Sequence, residues 1–334
     1  MALSFLDSLS DNSLLQFFVD TVQEKGADLA KTLHKSWQIP SHEVTLRDEL
    51  GAGYFGVVYK ATFRGLTVAC KTIERAKKSQ TKLELLADEL GVHWTLRHPN
   101  IVLFLGASLD SNVKYILMEY CSGGSLRHYL QVNGRSLSND RKLEIALDIA
   151  LGLNYLHLSN VLHCDLNGGN VLLTEKGLAK VADFGFSKLL GKDQKYIIGI
   201  PGAVSYMAPE VISSKQFHMQ SDVYSFGLLL WEIETLQVPW QGVSPTDILD
   251  RIRSGECIPI PENVGIDGGK ELLTNCLQSE YKKRPTFAKI VQTIQKLLGT
   301  WDSEDGLDFS SSSSSYEKGR EVDGDFYITE VANL

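Results

Sequence analysis

Asp165 and Asn170 stand five residues apart, and Asp183-Phe184-Gly185 begins thirteen residues after Asn170. Two carboxylates and an amide so spaced serve one chemistry only if the fold carries them to a common cleft. The set is what phosphoryl transfer needs. Asp165 would face an acceptor hydroxyl, and the hard oxygens of Asn170 and Asp183 would hold Mg²⁺ on nucleotide phosphates. Upstream lies Gly51-Ala52-Gly53-Tyr54-Phe55-Gly56, followed by Val57-Val58-Tyr59-Lys60-Ala61-Thr62-Phe63. A GxGxxG pattern alone is weak evidence, because dinucleotide-binding folds also use it, but there the glycines open a helix. Here a β-branched and aromatic run follows, so the glycines are predicted at a hairpin tip. Without Cβ atoms they let backbone N–H groups approach phosphate oxygens. Lys71 closes Val68-Ala69-Cys70-Lys71 on the next strand.

Patterning divides the chain into three zones. Residues 1–43 form an extension in which Leu14, Leu15, Phe18, Val22, Leu29 and Leu33 fall at helical spacing with a break at Gly26. Its two readings are a helix packed on the neighbouring domain and a docking segment for a partner protein. Residues 44–298 begin with strand-like alternation over Val44–Leu50, Val57–Phe63 and Leu66–Ile73, the last two joined by a turn at Arg64-Gly65. A helix is predicted over Lys82–Leu96, and strands over Ile101–Gly106 and Lys114–Glu119. After Gly123-Gly124 the period becomes helical: Leu126–Val132, Asn139–His157, Ser221–Thr235, Pro245–Ser254, Lys270–Cys276 and Phe287–Leu298. A small β-rich half before a large α-rich half predicts a two-lobed α+β domain with a cleft between the lobes. Residues 299–334 are Ser-rich and acidic, and the run Ser310–Ser315 predicts a disordered tail.

The net charge is −8, of which the segment from Asp302 onward carries −7. Residues 1–301 therefore sum to about −1, and nothing in the sequence suggests the basic face that nucleic-acid binding requires. No apolar run reaches membrane-spanning length. Five cysteines without metal-ligand spacing read as reduced thiols, and with no basic leader at Met1 they predict a cytoplasmic protein.

Taken in order, the glycine loop, Lys71, His163-Cys164-Asp165 through Asn170, and Asp183-Phe184-Gly185 resemble the eukaryotic protein kinase family. Leu103-Phe104-Leu105-Gly106-Ala107, Asp222–Trp231 and Arg284–Phe287 are most similar to its tyrosine-kinase-like group, which includes Raf and mixed-lineage kinases. The resemblance covers residues 44–298 and implies the protein kinase fold, with one main helix in the small lobe. It implies ATP and Mg²⁺, a protein substrate, and transfer of the γ-phosphoryl group to Ser or Thr hydroxyls, with Tyr left open, in intracellular signalling. Lys71 would contact the α- and β-phosphates and pair with Glu89, which precedes His98 by nine residues. Leu50 and the glycine loop would cover the nucleotide. Val58 and Ala69 would roof the adenine and Leu172 would floor it. Met118 would be the gatekeeper, and Glu119-Tyr120-Cys121 the hinge. Glu210 would pair with Arg284, and Asp222 would bind catalytic-loop backbone. His93, Phe104, Phe184 and His163 would stack as a spine, with His93 a satisfied core histidine where Leu or Met is usual.

The pattern has departures. Cys164 stands where an arginine usually reads a phosphate on the activation segment, so control by phosphorylation there is expected to be weak. Asn167 replaces a lysine, and Ala203 replaces a threonine, both normal supports of the catalytic Asp in serine/threonine kinases. These departures motivate a second reading, a nucleotide-binding pseudokinase-like scaffold. The retained Lys71, Glu89, Asp165, Asn170 and Asp183 favour an active enzyme.

Overall fold

The computed structural model describes residues 37–53, 56–74, 92–108, 113–190, 194–198, 202–262, 264–266 and 268–300. The predicted N-terminal helix, Tyr54, Phe55, most of the Lys82–Leu96 helix with Glu89, and the tail beyond residue 300 lie outside the described residues.

Five antiparallel strands form the small lobe: β1 (Val44–Gly53), β2 (Gly56–Phe63), β3 (Leu66–Glu74), β4 (Phe104–Ser108) and β5 (Val113–Glu119), in the order β1-β2-β3-β5-β4. The β2–β3 turn places Arg64 and Gly65 at φ 47° and 82°. Two successive left-handed residues match the right-handed twist of the flanking strands. Alternation sorts the side chains into two layers. Val68, Cys70 and Leu117 pack with Ala61 and Ile39 on one face. Ala69, Ile116 and Met118 pack with Phe104, Val102 and Ala182 on the other.

The edge of β4 is covered. Ala107 N–H donates to Trp37 O at 2.9 Å, and Ile39 N–H donates to Ala107 O at 2.8 Å. The Trp37 and Phe104 rings meet edge-on at 6.4 Å. Gly106, at φ 156°, permits this approach, because a Cβ there would collide with Ile39 and with the Trp37 carbonyl.

The large lobe contains α1 (Leu126–Asn133), α2 (Asn139–Leu158), α3 (Pro209–Ser214), α4 (Met219–Thr235), α5 (Pro245–Arg253), α6 (Gly269–Cys276) and α7 (Phe287–Leu297). Ser125, Ser138, Ser244 and Thr286 cap α1, α2, α5 and α7, each accepting a backbone N–H three residues on. Central α4 buries Val223, Tyr224, Phe226, Leu228, Leu229 and Ile233, so apolar side chains surround it nearly all round. Gly227 allows α6 to come close, since a Cβ there would sit 2.9 Å from Cys276 Cβ.

Three short ladders frame the site: β6 (Gly124–Ser125) with β8 (Val171–Leu173) and β9 (Ala179–Val181), β7 (Val161–Leu162) with β10 (Lys188–Leu189), and β11 (Ile197–Ile198) with β12 (Gln216–Phe217). Residues 163–170 thus run between β7 and β8, and Asp183-Phe184-Gly185 between β9 and β10. The strand predicted over Ile101–Gly106 begins three residues later. Ile101 instead makes an isolated bridge to Val181, and Val102 N–H donates to Val181 O at 2.9 Å. No helix among the described residues is long and apolar enough to cross a membrane.

Candidate active site

The loop 163–170 is hung from α4. Buried Asp222 accepts the backbone N–H of His163 at 2.9 Å and of Cys164 at 3.0 Å, and lies 3.0 Å from His157 Nε2. Burial raises the Asp222 pKa, but these partners outweigh it and hold the carboxyl below its usual range. The chain then turns sharply at Cys164, whose φ is 64°, just before Asp165.

Asp165 is held by three residues. Asn170 Nδ2 donates to its Oδ2 at 2.9 Å and to its backbone carbonyl at 2.8 Å. Asn167 Nδ2 donates to the same carbonyl at 3.0 Å and approaches Oδ1 at 3.4 Å. The Ala203 backbone N–H donates to Oδ1 at 2.7 Å. At both altered positions the chain therefore still reaches Asp165, through an amide at 167 and through backbone at 203. Burial pushes the Asp165 carboxyl above its ordinary value, with the Ala203 N–H opposing.

Lys71 Nζ lies 2.9 Å from Asp183 Oδ1, joining β3 to the segment after β9. Asp183 sits at φ 60°, and Gly185 N–H also approaches its Oδ1. Burial would raise the Asp183 pKa, but the Lys71 ammonium more than compensates, and the carboxyl stays ionised below its usual range.

A cavity of about 550 Å³ opens between the two lobes. Of the predicted contact set, Leu50, Gly51, Ala52, Gly56, Val58, Ala69, Lys71, Met118, Glu119, Cys121 and Leu172 line it, together with Asn170 and Asp183. Gly53 closes the hairpin by pairing with Gly56. Asp165 borders a separate recess beneath Gly202 and Ala203. Sequence reasoning missed Val102, Ala182, His128 and Gly169 as lining residues. Their types carry no signal of their own; only the path of the backbone brings them here.

Asn170 donates its amide hydrogens to Asp165, which leaves Oδ1 as the side-chain oxygen that would be available to a metal. That oxygen and the Asp183 carboxylate form a two-ligand hard-oxygen set in one cavity. This suits Mg²⁺, which usually keeps water and phosphate oxygens as its remaining ligands. No group of three or more ligating side chains occurs among the described residues.

Four aromatic rings meet in series, tilted or edge-on to one another. His93 lies 5.6 Å from Phe104 and 4.6 Å from Phe184, and Phe184 lies 5.5 Å from His163. His93 is only half satisfied, contrary to expectation: Nε2 bonds the Val102 carbonyl at 2.7 Å, while Nδ1 is buried without a partner among the described residues. Burial lowers its pKa to about 4, so the ring is neutral. Farther down, Arg284 grips Glu210 with two parallel bonds of 2.7 and 2.8 Å, and its remaining donors meet the carbonyls of Gln278, Gln220 and Ser279.

Comparison with known proteins agrees with this geometry. The family described as protein tyrosine and serine/threonine kinase matches residues 44–294. The chain is 35% identical over 266 residues to the serine/threonine-protein kinase CTR1 of Arabidopsis thaliana, a match covering 78% of this chain and 32% of that protein. It is 36% identical over 271 residues to mitogen-activated protein kinase kinase kinase 13-B of Xenopus laevis, covering 79% of this chain and 27% of that protein. The chain thus spans about a third or less of the length of these relatives. With the fold, the converging side chains and the family match in agreement, this chain belongs to the protein tyrosine and serine/threonine kinase family.

Proposed function

We propose that the chain is an active protein kinase that uses ATP and Mg²⁺ to phosphorylate Ser or Thr hydroxyls of protein substrates. The observation that carries this reading is the convergence of Lys71, Asn170 and Asp183 on one inter-lobe cavity, with Asp165, which borders a separate recess, bonded to Asn170. The apolar surfaces of Val58, Ala69 and Leu172 suit a flat base, and the polar edge at Glu119–Cys121 suits its hydrogen-bonding rim. Lys71 provides a positive charge for phosphate oxygens, with Asp183 fixing its ammonium. When bound, Mg²⁺ would neutralise phosphate charge, held by Asn170 Oδ1 and Asp183. Asp165 orients the acceptor hydroxyl and takes its proton at a carboxylate oxygen. The backbone N–H of Ala203 and the amides of Asn167 and Asn170 keep that carboxylate in place.

A nucleotide-holding scaffold is not favoured, because the chemistry-bearing side chains are retained together. All five cysteines are unpaired thiols, which supports a reducing, cytoplasmic setting. The test is incubation of purified protein with labelled ATP, Mg²⁺ and a generic protein acceptor, with Asp165→Asn as control. Label on phosphoserine or phosphothreonine that vanishes in the control is expected. Equal incorporation by both proteins would remove the claim, and label on tyrosine alone would correct the acceptor class.

A further inference from the structure

Beside the catalytic loop lies a polar cluster that the proposed chemistry does not use. Arg127, in the first turn of α1, donates from Nε to Glu232 Oε1 at 3.2 Å and from Nη2 to the Tyr206 hydroxyl at 3.0 Å. Tyr206 in turn donates to Glu232 Oε2 at 2.5 Å. Glu232 is buried on α4, whereas about a third of the Arg127 side chain is exposed. Burial and the Glu232 carboxylate keep the Tyr206 phenol protonated. One guanidinium therefore faces one carboxylate and a neutral hydroxyl, and both Glu232 oxygens are satisfied.

The catalytic loop presses on this cluster. Arg127 N–H donates to Gly168 O at 2.9 Å. A Cβ on Gly168 would sit 2.5 Å from Glu232 Oε2, and a Cβ on Gly169 would be 3.7 Å from Arg127 Nη1. Nη1 makes no hydrogen bond among the described residues, so it is the donor the cluster leaves over. Tyr206 follows Ala203 by three residues, and Ala203 touches Asp165. Arg127 thus flanks the loop that holds the acceptor-facing carboxylate. Gly168 lies three residues from Asp165, within about 11 Å along the chain at about 3.8 Å per residue. An extended peptide advances about 3.3 Å per residue, so Arg127 is within reach of a side chain about two to four residues from the acceptor hydroxyl.

We propose that Arg127 is a specificity-determining residue that selects acceptor segments carrying an anionic side chain, a carboxylate or a phosphorylated hydroxyl, a few residues from the phosphorylated position. The proposal rests on the protein kinase reading above. A planar guanidinium already pinned by two bonds offers its free nitrogen in fixed geometry and loses little freedom on binding. Glu232 cannot select a basic side chain while Arg127 and Tyr206 occupy both its oxygens.

The test separates the two readings. Transfer to a generic acceptor, absent in Asp165→Asn, first establishes the kinase. Acceptor peptides are then compared in which one position at a time, on either side of the hydroxyl, is Ala, Asp, phosphoserine or Arg. The wild type should favour Asp or phosphoserine over Ala in kcat/KM by about three- to fivefold at one position, the scale of an exposed ion pair. Arg127→Gln should bring that ratio to about one, and Arg127→Lys should restore part of it. Arg127→Met frees Glu232 and should create a preference for Arg at the same position. Arg127→Met combined with Glu232→Gln should show neither preference, and this pair keeps the test open if a single change fails to fold. A flat wild-type profile, or a profile unchanged in Arg127→Gln or in the double variant, overturns the proposal while leaving the kinase reading intact. A stronger ratio for phosphoserine than for Asp would identify a phosphorylated segment as the anion source.

Discussion

The backbone N–H of Ala203 donates to Asp165 Oδ1 at 2.7 Å. Where the family pattern places a threonine hydroxyl, this chain uses the peptide unit itself, and Gly202 lies so close that a Cβ there would collide with the Asp165 carboxylate. Gly202→Ala should therefore lower kcat by about a hundredfold, the scale of losing an electrostatic support, while Tm moves by only a few degrees. Single-turnover transfer and a melting curve check this. A rate within about threefold of wild type would show that the contact is dispensable. Because burial raises the Asp165 pKa, the acid limb of kcat/KM should lie above the ordinary Asp range.

The Lys71–Asp183 pair predicts how the nucleotide and metal contributions divide. Wild type should be stabilised more by ATP with Mg²⁺ than by ATP with chelator. A ligand at a hundred times its Kd adds about 2.7 kcal/mol, or several degrees in Tm. In Asp183→Asn the two shifts should become equal. In Lys71→Met both should shrink, and transfer should fall about a hundredfold or more. A metal-dependent shift that survives in Asp183→Asn would move the metal site elsewhere.

Glu210 and Arg284 form a desolvated bidentate pair. Removing one partner strands the other charge, so Arg284→Ala should cost about 3–5 kcal/mol in urea unfolding. Glu210→Gln with Arg284→Met should cost less than the single change. A single-variant loss below about 1 kcal/mol would show the pair to be peripheral.

His93 gives a pH signature. Its folded pKa, about 4, lies below the unfolded value of 6.5, so the unfolded chain binds the proton first as pH falls. The stability of the neutral ring is fully present above about pH 6.5 and declines down to about pH 4. The amplitude is about 3 kcal/mol. His93→Leu should remove this part of the acid loss in pH-dependent urea titrations, although the Val102 carbonyl loses its donor. Parallel titrations for both proteins would contradict the buried-imidazole account.

At residue 164 no guanidinium is available to read a phosphate. Treatment with a phosphatase should leave kcat within about twofold of the untreated enzyme, since the usual charge-assisted contact cannot form. A tenfold loss would reveal another reader.

The parts of the fold visible in sequence are those whose burial repeats. The helices α2 and α7 bury one stripe at helical period, α4 shows as a long apolar run buried nearly all round, and β2 and β3 are marked by their β-branched residues and by the Arg64-Gly65 turn between them. Ile101–Gly106 misled because a continuous apolar run does not fix where pairing begins; Ile101 and Val102 are buried by bridging to Val181 rather than by joining the sheet. The two-residue ladders are too short to carry a period. In the site, Asp165, Asn170 and Asp183 were legible because their chemistry requires those residue types. Ala203 was read only as a lost hydroxyl, since every residue type but proline supplies the same backbone donor. The Arg127–Glu232 contact spans 105 positions, and nothing local in either stretch announces it.

The family match begins at Val44, yet Trp37 and Ile39 already complete the hydrogen bonding of Ala107, and Trp37 packs against Phe104. A fragment trimmed to the match would bare a strand margin and a spine aromatic to water at once. A fragment that starts no later than Trp37 keeps both contacts.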